Sequence, residues 1–258
     1  MSVRIHAGAV LVALAVVAAG CGGSEKGEDA PAAGTAAPEA PLPLPGESTI
    51  SGRITFTGTA PAARVISMAS DPMCMTEGGA VRSEVIVVGP NNELQNVFVY
   101  VKDGLGDRTF PAPKTPVVLD QVGCRYTPHV FGVQVGQPVE IVNSDPTLHN
   151  VHAVAKVNTE FNFSQPIKGD RRTRTFDEPE VMVPFKCEVH GWMNSYGGVV
   201  PHPFFAVSKA DGSFEIRGLP EGTFTVEVWH EQLGTQTQKV TVDGTSGATV
   251  DFAFATKA

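Results

Sequence analysis

The folded part of this chain is written in short apolar runs separated by turn residues, and that pattern restricts it to β architecture. Runs such as Ile50–Thr57, Val85–Val88, Val97–Val101, Val117–Leu119, Phe131–Val135, Val139–Val142, Val151–Val154, Val181–Phe185, Phe204–Val207, Phe214–Ile216, Phe224–Trp229, Val240–Val242 and Val250–Phe254 are mostly β-branched and aromatic. Glycines and prolines, 27 and 20 in the whole chain, punctuate them. No long apolar run of period 3.6 competes. Short strands bounded by Gly, Pro, Asn and Asp read as all-β sandwiches.

The residues before that region belong to export. Arg4 supplies a positive start, and Ala9 to Ala19 is apolar and uncharged, too short for a spanning helix. Small residues Ala18-Ala19-Gly20 precede Cys21. This resembles a bacterial lipoprotein signal, residues 1–20, cleaved before Cys21 with lipid on its sulfur. Ala18 stands where that signal prefers Leu, and an ordinary secretory signal is the alternative. Residues 21–47 are rich in Gly, Ala, Pro and Glu and end Ala40-Pro41-Leu42-Pro43-Leu44-Pro45-Gly46. They cannot bury a core and read as a proline-stiffened tether. Gly22 lacks the acidic character that signals inner-membrane retention, so the expected address is the cell envelope, on the periplasmic side of the outer membrane. Net charge is −8, from 19 basic and 27 acidic residues, which argues against nucleic-acid binding.

One loop carries chemistry. Phe185-Lys186-Cys187-Glu188-Val189-His190-Gly191-Trp192-Met193 places a thiolate, an imidazole and a thioether at Cys-x2-His-x2-Met spacing. Soft sulfur selects copper, imidazole suits it, and His2Cys with a weak axial Met is the blue-copper arrangement. Zinc also takes Cys and His, but thioether is not among its usual ligands and only one Cys is near. A buried Cys is also simply a small hydrophobe. Of the seven His, His149 is the best second imidazole. It follows the turn Asn143-Ser144-Asp145-Pro146 and opens a strand near Leu148, 38 residues before Cys187. His152 alternates to the other side of that strand. His129 and His230 have no companion ligands at useful spacing and read as structural.

From Val117 to Val200 the chain resembles the cupredoxin family, in its amicyanin- and plastocyanin-like branch. The likeness rests on a His-Asn-Val segment after an Asn-containing turn and on the short Cys-x2-His-x2-Met loop. It implies a Greek-key sandwich over residues 115–201 holding one type 1 copper. His149, Cys187 and His190 would be equatorial ligands and Met193 axial, with Asn150 tying the two ligand loops together. It also implies an electron carrier with the edge of His190 near the surface and Phe185 and Trp192 keeping the site dry. The expected partner is a redox protein of the envelope. Copper storage, delivery or tolerance without a redox circuit is the alternative, and a scaffold with a degenerate site a third. An enzyme is not expected: copper oxidases and nitrite reductases need further His-rich sites, the neighbours of Cys187 are Lys186 and Glu188, and no His-x-His occurs.

With Cys21 lipidated and Cys187 on copper, Cys74 and Cys124 remain, and an oxidising compartment would pair them. A loop of about 50 residues closed this way adds on the order of 3–4 kcal/mol in the loop-entropy account. Free thiols, or a Cu(I) cluster with Met68, Met73 and Met75, are the other readings. The run Lys168-Gly169-Asp170-Arg171-Arg172-Thr173-Arg174 is basic and reads as a solvated hairpin, or as a steering patch for an acidic partner.

The last segment, Asp211-Gly212-Ser213-Phe214 with Leu219-Pro220-Glu221-Gly222-Thr223-Phe224, resembles the carboxypeptidase regulatory-like, transthyretin-type sandwich. That family opens on an Ile-x-Gly strand, and here Ile50-Ser51-Gly52-Arg53-Ile54 lies far upstream. Residues 48–114 and 202–258 are therefore expected either to form one sandwich with 115–201 inserted, or to stand as separate pieces.

Overall fold

A computed structural model describes residues 44–75 and 81–256. The expected signal segment, Cys21 and most of the expected tether lie outside the described residues. The described chain is all β, with one 3-10 turn at Pro72–Cys74. Its strands form four sheets that enclose two main cores.

The first core draws on both ends of the chain. Strand Ser48–Phe56 pairs antiparallel with Ser213–Leu219 and parallel with Ala248–Thr249 and Phe252–Phe254. Facing it is a sheet in the order Phe205–Val207, Phe98–Asp103, Gly222–His230, Gly234–Val242. Period-two alternation drives this arrangement. In Ser213–Leu219, Phe214, Ile216 and Gly218 point inward while Glu215 and Arg217 face solvent. Ile50, Ile54, Phe56, Phe224, Val226 and Phe254 meet between the sheets. Burying each such side chain fully is worth about 1.5–3 kcal/mol. The turn before Ser213 is chemically specified. Gly212 adopts φ +71°, and the Asp211 carboxylate accepts from the amide and hydroxyl of Ser213. Gly46, at the end of the expected tether, already donates to the carbonyl of Gly218.

The second core comes from the middle of the chain. One sheet runs Val130–Gln134, Asn194–Val200, Glu180–Lys186, His149–Ala153, Phe161–Gln165. The other runs Tyr126–Thr127, Val117–Gln121, Val139–Asn143, Arg171–Arg174. Leu119, Phe131, Ile141, Val151, Phe176 and Phe185 fill the space between them. Met68 and Cys74, far upstream in sequence, also pack into this core.

The basic run is solvated as expected, but instead of a hairpin it forms strand Arg171–Arg174, paired with Val139–Asn143. Arg172 and Arg174 lie over the rings of Phe163 and Phe161. Val85–Val88, expected as a strand, makes only the isolated bridge Val88–Leu94. Gly89-Pro90 ends it, the amide of Gly89 bonds the carbonyl of Glu93, and Asn92 at φ +66° folds the chain straight back. The run has no room to build a ladder.

The two cores touch through Phe98, Tyr100, Val130, Met182 and Val200. Glycine permits the approach. A Cβ on Gly198 would lie 2.4 Å from the ring of Phe98, and one on Gly132 2.3 Å from Phe205. Around this contact His129 bonds Glu231, and the rings of Tyr196 and Trp229 stand 5.1 Å apart. Because Phe98 is itself fully enclosed, Gly198→Ala forces it to move. The substitution is expected to lower stability by about 1–3 kcal/mol in urea unfolding.

His230 is buried, and its Nδ1 accepts from the amides of Gln232 and Leu233. Burial lowers its pKa to about 4. The folded value lies below the free-imidazole value of about 6.5, so this group's contribution is complete above pH 6.5 and is lost as the pH falls toward 4. Urea unfolding is expected to show a loss of about 2–3 kcal/mol from this group by pH 4.5. His230→Asn, which keeps an acceptor but cannot be protonated, should lessen that loss.

Candidate metal centre

The site lies where two neighbouring strands end in turns of defined chemistry. After strand Val139–Asn143, the Asn143 side chain accepts from the amide of Asp145 and donates to the carbonyls of Thr147 and Gln165. This Asx turn delivers His149 as the first residue of strand His149–Ala153. On the other side, strand Glu180–Lys186 stops just before Cys187, and strand Asn194–Val200 begins just after Met193. The loop between them closes on itself. The amide of Cys187 donates to the carbonyl of Met193, the amide of Met193 donates to that of His190, and the amide of His190 donates to Cys187 Sγ at 3.3 Å.

Three donor atoms converge there. His149 Nδ1 is 3.0 Å from His190 Nδ1, which is 3.9 Å from Cys187 Sγ. One ligand atom from each of the three residues lies within 4.8 Å of the others. Bonds of about 2.0–2.3 Å to a single ion span such separations. All three residues are enclosed: His149 is 0 % exposed, His190 2 % and Cys187 3 %. Met193 is buried in the same core. Cys187 is the one free cysteine among the described residues.

Each imidazole has its other nitrogen on a carboxylate. His149 Nε2 is 2.9 Å from Asp145 Oδ2, and His190 Nε2 is 2.9 Å from Asp71 Oδ2. A carboxylate that accepts the Nε2 proton fixes the tautomer and leaves Nδ1 as the ligand atom. The donor set therefore fits a soft, imidazole-binding metal: two nitrogens turned inward, a thiolate, and a thioether-bearing residue on the same loop. In the metal-free protein, burial opposes charge on Cys187 and on His149. Bonds from His149 and from the amides of His190, Asn150 and Val189 nevertheless hold the Cys187 thiol below its ordinary value. Asp145 and Cys187 likewise outweigh burial at His149 and raise its pKa to about 9. The two shifts run in opposite directions, thiol down and imidazole up, and a metal that takes both donors would displace the protons they carry.

Asn150 is buried behind the ligands. Its Oδ1 accepts from the amide of Glu188 at 3.1 Å, and its Nδ2 donates to Asn162 Oδ1 and to the carbonyl of Phe163. It joins the strand of His149 to the loop of Cys187. His152 faces elsewhere, held between Glu188 and Glu160 at 2.6 Å each.

Cys74 and Cys124 form a disulfide. With Asp71, this bridge corrects one expectation: the edge of His190 does not reach the surface. The 3-10 turn Pro72–Cys74 lies over it, with Cys74 Sγ 3.6 Å from His190 Nε2. The Trp192 indole, half-buried, lies tilted against the His190 ring at 5.0 Å and donates to the carbonyl of Cys124. Phe185 is fully enclosed below. Of the methionines near Cys74, Met68 is buried, while Met73 and Met75 are 58 % and 62 % exposed. Neither Asp145 nor Asp71 was identified from sequence. Asp145 carries a local signal, since it sits four residues before His149 in an Asx turn. Asp71 carries none beyond its place three residues before Cys74.

No family model and no curated protein matches this chain. Among solved structures it is similar to a Cu-containing nitrite reductase (NirK) from Thermus scotoductus SA-01, at 27 % identity and TM-score 0.29 over 37 % of this chain and 24 % of that one. It is also similar to a Cu(I) form of an amicyanin variant, at 24 % identity and TM-score 0.30 over 40 % of this chain and 98 % of that one. An oxidized amicyanin variant gives 26 % identity and TM-score 0.29, over 39 % and 97 %. The chain thus spans less than a quarter of the nitrite reductase and nearly all of the amicyanins.

Asn150→Ala leaves the amide of Glu188 without its partner and unties the two ligand segments. It is expected to cost about 1–3 kcal/mol in urea unfolding of the metal-free protein, the range for stranding a buried polar group.

Proposed function

We propose that this protein binds one copper ion as a type 1 centre and carries single electrons between redox proteins of the cell envelope. The observation that carries the proposal is the convergence of His149 Nδ1, His190 Nδ1 and Cys187 Sγ in an enclosed pocket, with both Nε2 atoms on carboxylates. His149, His190 and Cys187 would hold the metal, with Met193 as the weak axial ligand. Bound copper supplies a one-electron couple. The protein's own part is rigidity. Asp145, Asp71 and Asn150 keep the donors in place, and the surrounding core excludes water, so little rearrangement accompanies a change of charge.

The rest of the chain fits an anchored carrier. In this reading residues 1–20 are a lipoprotein signal, Cys21 bears lipid, and the tether to residue 47 lets the folded part reach its partners from the outer membrane. Residues 48–114 and 202–258 would be one regulatory-like sandwich that scaffolds an inserted cupredoxin domain, 115–201.

A second reading has its own support. The cover over His190 removes the usual close approach for a partner and suits a protein that sequesters copper for storage or delivery. Loading the 22–258 fragment with Cu(II) separates the two. An electron carrier is expected to bind one equivalent, to show intense thiolate-to-copper absorption in the visible, and to cycle reversibly with a mild reductant. Cys187→Ser should abolish the colour. Stoichiometric binding without colour favours storage, and no binding rejects both.

A further inference from the structure

We infer that Asp71 is a positioning residue of the metal centre, clasped onto His190 by a disulfide-pinned loop from outside the metal-bearing strands. The inference rests on the copper reading above. Asp71 is 119 residues from His190, yet its Oδ2 lies 2.9 Å from His190 Nε2. Two further bonds fix that carboxylate: Oδ1 accepts from the amide of Met73, and Oδ2 from the hydroxyl of Thr147, two residues before His149. The loop cannot drift away. Met68 is buried at one end, and Cys74 is bonded to Cys124 at the other. The clasp also reaches the second imidazole. The amides of Gly123 and Cys124 donate to Asp145, whose carboxylate holds His149 Nε2. One covalent bridge therefore joins the loop that carries Asp71 to the loop whose amides hold Asp145.

Two consequences follow for the metal. An Nε2–H bonded to carboxylate makes the imidazole more basic at Nδ1 and fixes its plane. A negative charge at that point also favours the more positive oxidation state, so Asp71 lowers the reduction potential. The competing explanation is purely structural, because Asp71 is also the N-cap of the 3-10 turn. Asn caps as well as Asp, so Asp71→Asn keeps the cap on Met73 while its amide nitrogen replaces the oxygen at His190 Nε2, which removes both the charge and the acceptor there.

The test measures the reduction potential of the copper-loaded 22–258 protein and of D71N. The expected result is a folded D71N that binds one copper with a raised potential. The Cu(II)/Cu(I) affinity ratio should fall at least tenfold, about 59 mV for a one-electron couple. A C74S/C124S variant, which keeps Asp71 but releases its clasp, should shift in the same direction. A blue D71N with the wild-type potential would overturn the inference while leaving the copper reading intact. If D71N does not fold, the C74S/C124S potential decides, and no shift there overturns the inference equally. A wild-type protein that binds no copper removes both.

Discussion

The carboxylate of Asp145 is the interaction on which the centre depends. It accepts from the amides of Gly123 and Cys124 and lies against His149 Nε2, while its own amide is held by Asn143. Burial alone would raise its pKa, but His149 and the two amides outweigh that and keep it low. A single ionised group thus fixes the turn before one imidazole, the loop bearing one half of the disulfide, and the direction in which His149 Nδ1 points. An enclosed carboxylate without those partners would be costly. With them it is a rigid fixture, and the remaining donors are arranged around it.

The same economy governs the larger architecture. Two cores of alternating side chains meet across Phe98, and the backbone of Gly198 and Gly132 makes room for aromatic rings where any side chain would collide. A loop from the upstream segment then crosses to the second core, where Met68 and Cys74 are buried. The strands that flank the candidate donors are consequently roofed by residues that are not their sequence neighbours, and His190 lies beneath that roof.

Legibility in the sequence followed the distance over which each interaction acts. Cys187, His190 and Met193 could be grouped because one short loop carries them. His149 could be joined to them because its turn, Asn143-Ser144-Asp145-Pro146, is local and chemically specific. The alternation in Ser213–Leu219 and the Asp211-Gly212 turn were equally plain. Val85–Val88 misled because β-branched composition says nothing of whether a partner strand is available, and Gly89-Pro90 turned the chain before a ladder formed. Asp71 was invisible because its role depends on a contact 119 residues away. The methionines beside it, one buried and two exposed, gave no pattern to read.

By itself the sequence determined that this chain builds β-sandwiches and that one loop offers sulfur and imidazole donors, because strand alternation and loop spacing are properties of adjacent residues. Only the tertiary structure decided which nitrogen of each histidine turns inward and that His190 is closed off from solvent. Those outcomes belong to Asp145 and to the Asp71 loop, and carboxylates act on an imidazole only once the fold has brought them within hydrogen-bond reach.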